Sequence, residues 1–338
     1  MRVGIQPAPG SGLATMAATG QLSRLTRHWS GFREAGHELR YFSSLPDDPD
    51  WIADVRRPRK RLGLVSATRR PLYDPLAYYG CDVIRATSLM GALPAIVARC
   101  ALLIPFVVSY GGDYEAIARI HGRPAWKWRW LRTLAFRFAS AVIVPNPVMA
   151  ETLRRLYPRT RIVHVPNWVD CEMFKPRPKP VNYPHKQVLY VGRLVKEKNL
   201  PRLARVCVEN DWDLTCIGDG PFRVTAECLG PKPWEELPFW HSQADVFCLP
   251  SYTEGQPKAL LEAMASGLPC AVSSGVTGIR IPGGCRFPPE DEGAMADTIR
   301  YLLEHGEGYR DWNRQVALDY DIHKVLPREI AVVESVVR

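Results

Sequence analysis

Short, wholly apolar runs recur along this chain, and each gives way to a glycine- or proline-bearing loop and then to apolar residues at helical spacing. Phe106-Val107-Val108, Ala141-Val142-Ile143-Val144, Val188-Leu189-Tyr190-Val191 and Val246-Phe247-Cys248-Leu249 are the clearest. Strands that are apolar throughout are buried on both faces. Their alternation with loops and helices therefore restricts the chain to an α/β fold with parallel sheets. The opening conforms: Arg2–Gln6, the loop Pro7–Gly12, then Leu22, Leu25, Trp29 and Phe32 at helical spacing. That order begins a doubly wound fold.

The fullest instance is the stretch from Asp245 to Pro269. An apolar run ends at Pro250, and the polar loop Ser251–Pro257 follows. Ala259, Leu260, Ala263 and Met264 then fall at helical spacing until Ser266-Gly267-Leu268-Pro269 stops the helix. Pro257 lies near the first turn, where its missing N–H costs nothing. The first N–H groups of a helix have no internal acceptor and the helix dipole favours negative charge there, so the geometry suits an anion. Gly255 lets a ligand approach the backbone. Glu254 in the loop and Glu262 in the helix are expected on one side, roughly 10–12 Å apart. Carboxylates so separated cannot share a proton or a metal, but they can bind two sets of hydroxyls on one extended ligand. A phosphate at the helix end flanked by such carboxylates describes a nucleotide sugar. The plain alternative is a solvated helix start with a surface glutamate.

Length and composition allow this. The 338 residues suffice for two domains, and 46% apolar residues supply their cores. Nine scattered cysteines without a Cys-x-x-Cys argue against a disulfide framework or zinc site and fit a reducing compartment. Met1–Gln6 is too short for a signal peptide, and Ala92–Tyr110, with Pro94, Arg99 and Pro105, reads as a helix and a buried strand rather than a membrane span. The net charge of +9 is lopsided. Residues 1–180 hold 27 Lys and Arg against 13 Asp and Glu, and residues 181–338 hold 17 against 22. A cationic first half implies an anionic partner there.

The stretch Glu254 to Glu262, with Pro250-Ser251 before it and Leu260-Leu261-Glu262-Ala263-Met264-Ala265-Ser266-Gly267-Leu268-Pro269 around it, resembles the E-x7-E signature of retaining glycosyltransferases of the GT-B fold, most closely glycosyltransferase family four. The resemblance implies two Rossmann-like domains with parallel sheets facing across a cleft. It implies that Glu254 contacts the donor sugar and Glu262 the ribose. Gly192-Arg193 with Lys198-Asn199-Leu200 resembles the family's diphosphate clamp, and Gly218-Asp219-Gly220-Pro221 is a further family feature. Gly255, Gln256, Pro257, Lys258, Ala259 and Leu260 complete the expected donor site, with Gly192, Gly218 and Asp219. Ala35-Gly36-His37-Glu38 matches a family turn, which makes His37 a turn residue and not a catalyst.

The first half carries the resemblance less sharply. Gly10, Ser11 and Gly12 form a loop expected near donor or acceptor, and turn formation explains them equally well. Many family members place a histidine after the strand Phe106–Ser109. This chain has Gly111-Gly112-Asp113 instead. Asp113 is the candidate contact to acceptor or donor sugar, with a helix N-cap as the alternative. Trp168 stands where glycine is usual in the interdomain segment Pro166-Asn167-Trp168-Val169-Asp170. It is expected to line the cleft or to alter the turn. Pro176, Pro178, Pro180 and Pro184 form a stiff linker, with a hinge over 167–184. The connection after Gly218–Pro221 is trimmed, and the family's Pro-Glu is not seen in the glycine-rich loop Gly275–Gly284. Residues 46–75 read as a polar loop whose Arg56–Arg70 cluster is solvated or holds phosphates or a membrane. Trp126, Trp128 and Trp130, mixed with Lys127, Arg129 and Arg132, suit an interfacial helix, with tryptophans that cap the core as the alternative.

These readings place an N-terminal acceptor domain at 1–168, a nucleotide-sugar domain at 169–310 and a last helix, 311–338, crossing back. The function expected is that of a retaining hexosyltransferase, without cofactor or metal, in glycan, polysaccharide or glycolipid assembly. Its partners would be a nucleoside diphosphate sugar, a saccharide or lipid-linked acceptor and an anionic membrane surface, with no nucleic acid. The location expected is the cytoplasm, peripheral to the inner face of the membrane. Two rival readings stay open: an epimerase-like sugar-nucleotide enzyme of the same architecture, and a non-catalytic basic binding protein.

Overall fold

The computed structural model describes residues 1–179, 184–222 and 224–337. Pro180, one of the linker prolines, and part of the expected hinge lie outside the described residues. The chain divides into two units. The first comprises residues 1–111, 124–165 and 326–338, the second residues 112–123 and 166–325.

The first unit is built on a 7-stranded parallel sheet ordered β3-β2-β1-β4-β5-β6-β7. These strands are β1 (Arg2–Gln6), β2 (Glu38–Phe42), β3 (Asp54–Arg56), β4 (Val83–Ala86), β5 (Phe106–Ser109), β6 (Ala141–Val144) and β7 (Ile162–His164). Val3 in β1 pairs with Leu39 on one side and Val83 on the other. The inner strands are buried on both faces, as their apolar runs require. Trp29 and Phe32 bury the inner face of helix Leu22–Glu34. His37 occupies the following turn, its Nε2 3.2 Å from Glu334.

The sheet interior also holds a charged cluster. Arg85 of β4 donates from Nε (3.0 Å) and Nη2 (2.8 Å) to Glu329 Oε1, and His28 Nε2 lies 3.5 Å from the same oxygen. Burial would raise the Glu329 carboxyl, but Arg85 and His28 outweigh it and hold the group well below the usual carboxylate range.

Residues 46–75 are not a simple polar loop. They contain the edge strand β3 and helix Leu64–Tyr73, and helix Pro75–Tyr78 follows. The reason is that part of the cationic run is structural. The Arg70 guanidinium is buried, donating to Ser43 O (2.7 Å) and Asp74 Oδ2 (3.1 Å). Ala67, Arg70 and Pro71 thus form the buried stripe of the helix. Arg56 pairs with Asp54 and Arg57 with Asp50.

The second unit is built on a 6-stranded parallel sheet ordered β10-β9-β8-β11-β12-β13. Its strands are β8 (Gln187–Val191), β9 (Asp213–Ile217), β10 (Glu227–Cys228), β11 (Val246–Leu249), β12 (Cys270–Ser273) and β13 (Arg286–Phe287). No helix connects β9 to β10 among the described residues, in keeping with the trimmed connection. The division falls between Val165 and Pro166, and residues 311–325 group with the second unit while Leu326 onward groups with the first.

Candidate active site

In the second sheet the chain starts at β8, adds β9 and β10 on one side, then returns to add β11, β12 and β13 on the other. The loops after β8 and β11 therefore leave the carboxyl edge in opposite directions, and the crevice between such loops is where ligands bind in doubly wound sheets. Lys198 follows β8 and Glu254 follows β11. Their side chains form an ion pair across this switch point, Lys198 Nζ to Glu254 Oε1. Ser251 Oγ donates to the same oxygen at 3.3 Å. Burial and the charge of Arg193 pull the Lys198 ammonium down to about 8, with Glu197 acting the other way.

Close backbone contacts hold the loops in place. Gly218 has φ +140°, and a Cβ there would strike the Gly192 carbonyl. Only glycine meets both conditions, and Gly192 and Gly218 are thereby explained as a packed pair of turns. Leu194 N donates to Asp219 O (2.9 Å), and Asp219 Oδ1 accepts from Gly220 N (2.7 Å). Asn199 takes the left-handed conformation at φ 57° and donates from Nδ2 to Pro250 O (3.2 Å) and Pro289 O (2.7 Å). It ties the β8 loop to the end of β11.

The site helix is Lys258–Ala265, with Pro257 at the N-cap, a residue whose side chain makes no capping bond. Its C-terminus is closed: Arg314 Nη1 donates to Ala265 O at 2.8 Å, and Asn313 Nδ2 to Leu268 O at 2.7 Å. A cation thus balances the negative end of the dipole, and the positive end faces the loop Ser251–Gln256. Helix geometry begins at Lys258, so Glu262 is its fifth residue, just over one turn in. Glu262 is buried, and its Oε1 accepts from Trp234 Nε1 at 2.8 Å. Trp234 packs edge-on against the buried Trp168 at 6.1 Å between ring centroids, and Lys258 Nζ sits 6.0 Å from the centre of the Trp168 ring. The indole in place of the usual glycine therefore belongs to the second unit's interior and stacks behind the helix start. Gln256 is buried too. Its amide carbonyl accepts from Asn167 N, and its Nε2 donates to Gly278 O at 3.2 Å, which fixes the loop Glu254–Pro257.

Two residues escaped sequence reasoning. Glu197 is buried within the 3-10 turn Lys196–Lys198. Its Oε1 receives Arg193 Nη2 at 3.2 Å, and its Oε2 lies 2.7 Å from His121 Nε2. Burial would raise this carboxyl, but the bond with His121 and the charge of Arg193 lower it. Arg193 itself is 70% exposed, so a buried carboxylate anchors a guanidinium that reaches solvent. Residues 112–123 group with the second unit, which brings His121 to Glu197 although the two stand 76 positions apart. No local pattern announces such a contact. Asp113 is the N-cap of helix Tyr114–Ile120, accepting from Glu115 N (3.1 Å) and Ala116 N (2.9 Å). Gly111 and Gly112 are open: a Cβ on either meets nothing within 4 Å.

In the first unit Gly10 turns at φ +84°, Ser11 N donates to Ala8 O at 3.0 Å, and Gly12 starts the short helix Leu13–Ala18. Asp48 reaches that helix, accepting from Ala14 N at 3.0 Å. The helix end is met by a carboxylate of this chain, and the three residues form a turn in which Gly12 is packed against Leu45 and Asp48 while Gly10 is exposed.

Among the described residues no group of His, Cys, Asp and Glu is arranged to hold a metal ion. The donor-side residues named from the sequence, Arg193, Lys198, Glu254, Glu262 and the backbone from Gly255 to Leu260, all lie at the carboxyl edge of the second sheet or in the helix that follows it.

Two Rossmann-like units, the second with paired cation and carboxylate at its switch point, define the GT-B class of architecture. Residues 21–173 match the family described as Glycosyltransferase Family 4, and residues 185–305 the one described as Glycosyl transferases group 1. The chain belongs to this glycosyltransferase family. It is 28% identical over 242 residues to a GDP-mannose-dependent alpha-mannosyltransferase of Corynebacterium glutamicum, covering 64% of this chain and 57% of that protein. It is 29% identical over 238 residues to the UDP-Gal:alpha-D-GlcNAc-diphosphoundecaprenol alpha-1,3-galactosyltransferase of Escherichia coli, covering 60% of each. The chain thus spans about three fifths of the length of these curated relatives. Sucrose-phosphate synthase from Thermosynechococcus elongatus shares the fold with a TM-score of 0.84 at 18% identity, over 99% of this chain and 98% of that one.

Proposed function

We propose that this chain is a retaining, metal-independent hexosyltransferase that moves a sugar from a nucleoside diphosphate sugar to an acceptor hydroxyl in glycan, polysaccharide or glycolipid assembly. The observation that carries this reading is the Lys198–Glu254 pair at the switch point, beside the N-terminus of helix Lys258–Ala265. Arg193, Lys198 and the N–H groups at Lys258 and Ala259 stabilise the leaving diphosphate as its charge develops, the work a metal does in other sites. Glu254 orients the sugar and Glu262 the ribose. The bond from the anomeric carbon to phosphate breaks and the bond to the acceptor oxygen forms on the same face. The acceptor proton passes to the leaving phosphate oxygen. Both relatives named above use a nucleoside diphosphate sugar, and the name of one specifies a lipid-diphosphate acceptor, which supports a saccharide or lipid-linked acceptor here. No described helix is long and apolar enough to cross a membrane. Cytoplasmic work at an anionic membrane surface completes the reading.

The test is a thermal-shift panel of UDP-, GDP-, ADP- and dTDP-sugars on the wild type, Glu262→Ala and Arg193→Ala. A ligand at a hundred times its dissociation constant adds ~2.7 kcal/mol to apparent stability. The expected result is a shift with one nucleotide that both variants lose, together with sugar transfer only when acceptor is added. No shift with any donor overturns the reading in favour of a basic binding protein. Release of an altered sugar nucleotide without acceptor favours the epimerase-like alternative.

A further inference from the structure

Four helices of the first unit, Leu64–Tyr73, Pro75–Tyr78, Ala92–Leu102 and Ala125–Phe138, contain no Asp or Glu at all. The connections β3 to β4, β4 to β5 and β5 to β6 run in one direction across the sheet. Right-handed crossovers therefore place their helices on one face. The contacts agree: Leu64–Tyr73 packs on Ala92–Leu102, which packs on Ala125–Phe138. The next helix in this direction, Pro147–Leu156, has one acid, Glu151, which is paired with Arg154 and Arg155. Asp74, between the first two helices, is bound to Arg70.

The outer surface of this row is both cationic and apolar. Arg69, Lys127 and Arg129 on these helices are exposed, as are Arg59, Lys60 and Arg61 in the connection that leads into the first of them. Leu72, Tyr73, Leu76, Tyr79, Trp126 and Trp130 are exposed too, Leu76 and Tyr79 to 77%. A hollow of about 300 Å³, lined by Leu76, Tyr79, Leu102 and Ile104 among others, opens beside the helix Pro75–Tyr78. Burying so much apolar side chain in water's place needs an apolar partner, and the absence of acids needs an anionic one.

We infer that this helix row is the face on which the protein seats an anionic phospholipid bilayer, with Leu72, Tyr73, Leu76, Trp126 and Trp130 entering the headgroup boundary and the Arg59–Arg61 segment meeting the lipid phosphates. The inference rests on the membrane partner named in the proposed function, yet it uses residues of the first unit only. It adds the helices Leu64–Tyr73 and Pro75–Tyr78, the first of which lies within residues 46–75, assigned by the sequence alone to a polar loop. A nucleic acid would match the charge and leave Leu72 and Leu76 without a role. Aromatic and aliphatic side chains with interspersed cations are what the interface between lipid and water selects.

The experiment is flotation of the full chain with phosphatidylcholine vesicles and with mixed phosphatidylcholine–phosphatidylglycerol vesicles, at low and high salt. The expected result is binding to the mixed vesicles that salt weakens. Each basic residue near such a surface contributes ~1 kcal/mol, so Arg59→Gln/Lys60→Gln/Arg61→Gln should weaken binding on the order of a hundredfold. Trp126→Ser/Trp130→Ser should weaken it too, whereas Val208→Ser, at an exposed site of the second unit, should not. All these side chains are exposed, and a retained thermal midpoint checks folding. Absence of flotation with mixed vesicles at low salt overturns the inference, as does equal binding by the variants, or tight binding to duplex DNA with none to vesicles. Donor-induced thermal shifts in the same preparations separate the two readings. Shifts without flotation sink only the membrane face, and flotation without shifts sinks only the transferase.

Discussion

Lys198→Ala should lower kcat/KM for sugar transfer on the order of 10²–10³-fold, the usual cost of removing one preorganised group from developing charge. In the structure Lys198 and Glu254 satisfy each other. Under the proposed function a donor diphosphate competes with Glu254 for the ammonium, and the carboxylate so released becomes available to the sugar hydroxyls. Glu254→Gln should therefore also cost on the order of 10²-fold, and the double variant should cost much less than the product of the two, because residues acting as a unit are not additive. The pH profile sharpens the test. The Lys198 cation is lost as pH rises through about 8, so kcat/KM should fall across that range. Arginine stays charged far beyond it. Lys198→Arg, though slower, should keep its rate flat above pH 8. An additive double variant, or an alkaline limb unchanged in Lys198→Arg, would remove Lys198 from the reaction.

Most of the second unit was legible in the sequence because its signals are local. Val188–Val191 and Val246–Leu249 are wholly apolar, and strands of that kind have only one place in a domain. Glu254, Lys198 and Arg193 stand immediately after such strands, where a parallel sheet delivers its ligand groups. What stayed hidden depends on contacts between distant positions. Glu262 reads as a ligand-facing carboxylate, and only Trp234, 28 residues earlier, shows how it is held. His121 belongs to a stretch whose sequence neighbours lie in the other unit. The helix Leu64–Tyr73 was masked by its arginines, since a cationic run looks solvated until Ser43 O is found accepting from Arg70. Asp113 had two readings, and the capping bonds account for its position without a ligand.

Glu329→Ala should cost roughly 3–5 kcal/mol, the penalty for leaving a buried charge without its partner. Arg85 would keep its bonds to Ala86 O and Ser109 Oγ but lose both bonds to the carboxylate in the sheet interior. The measurement is amide hydrogen exchange at Val83–Ala86, which reports opening of the first unit without assuming that both units unfold together. Protection there should fall by about two to four powers of ten. The pH dependence has a definite sign. The folded-state pKa of Glu329 is depressed, so its contribution is present above the ordinary carboxylate pKa and is lost as pH falls below it. The wild type should lose protection in β4 on acidification, and Glu329→Ala should lose less. Replacing Arg85 and Glu329 together with apolar residues, Arg85→Met with Glu329→Leu, should recover much of the loss, because the guanidinium is then not left without its carboxylate. If the single and double variants matched the wild type in exchange at every pH, the cluster would be a bystander and the burial of Arg85 in β4 would need another cause.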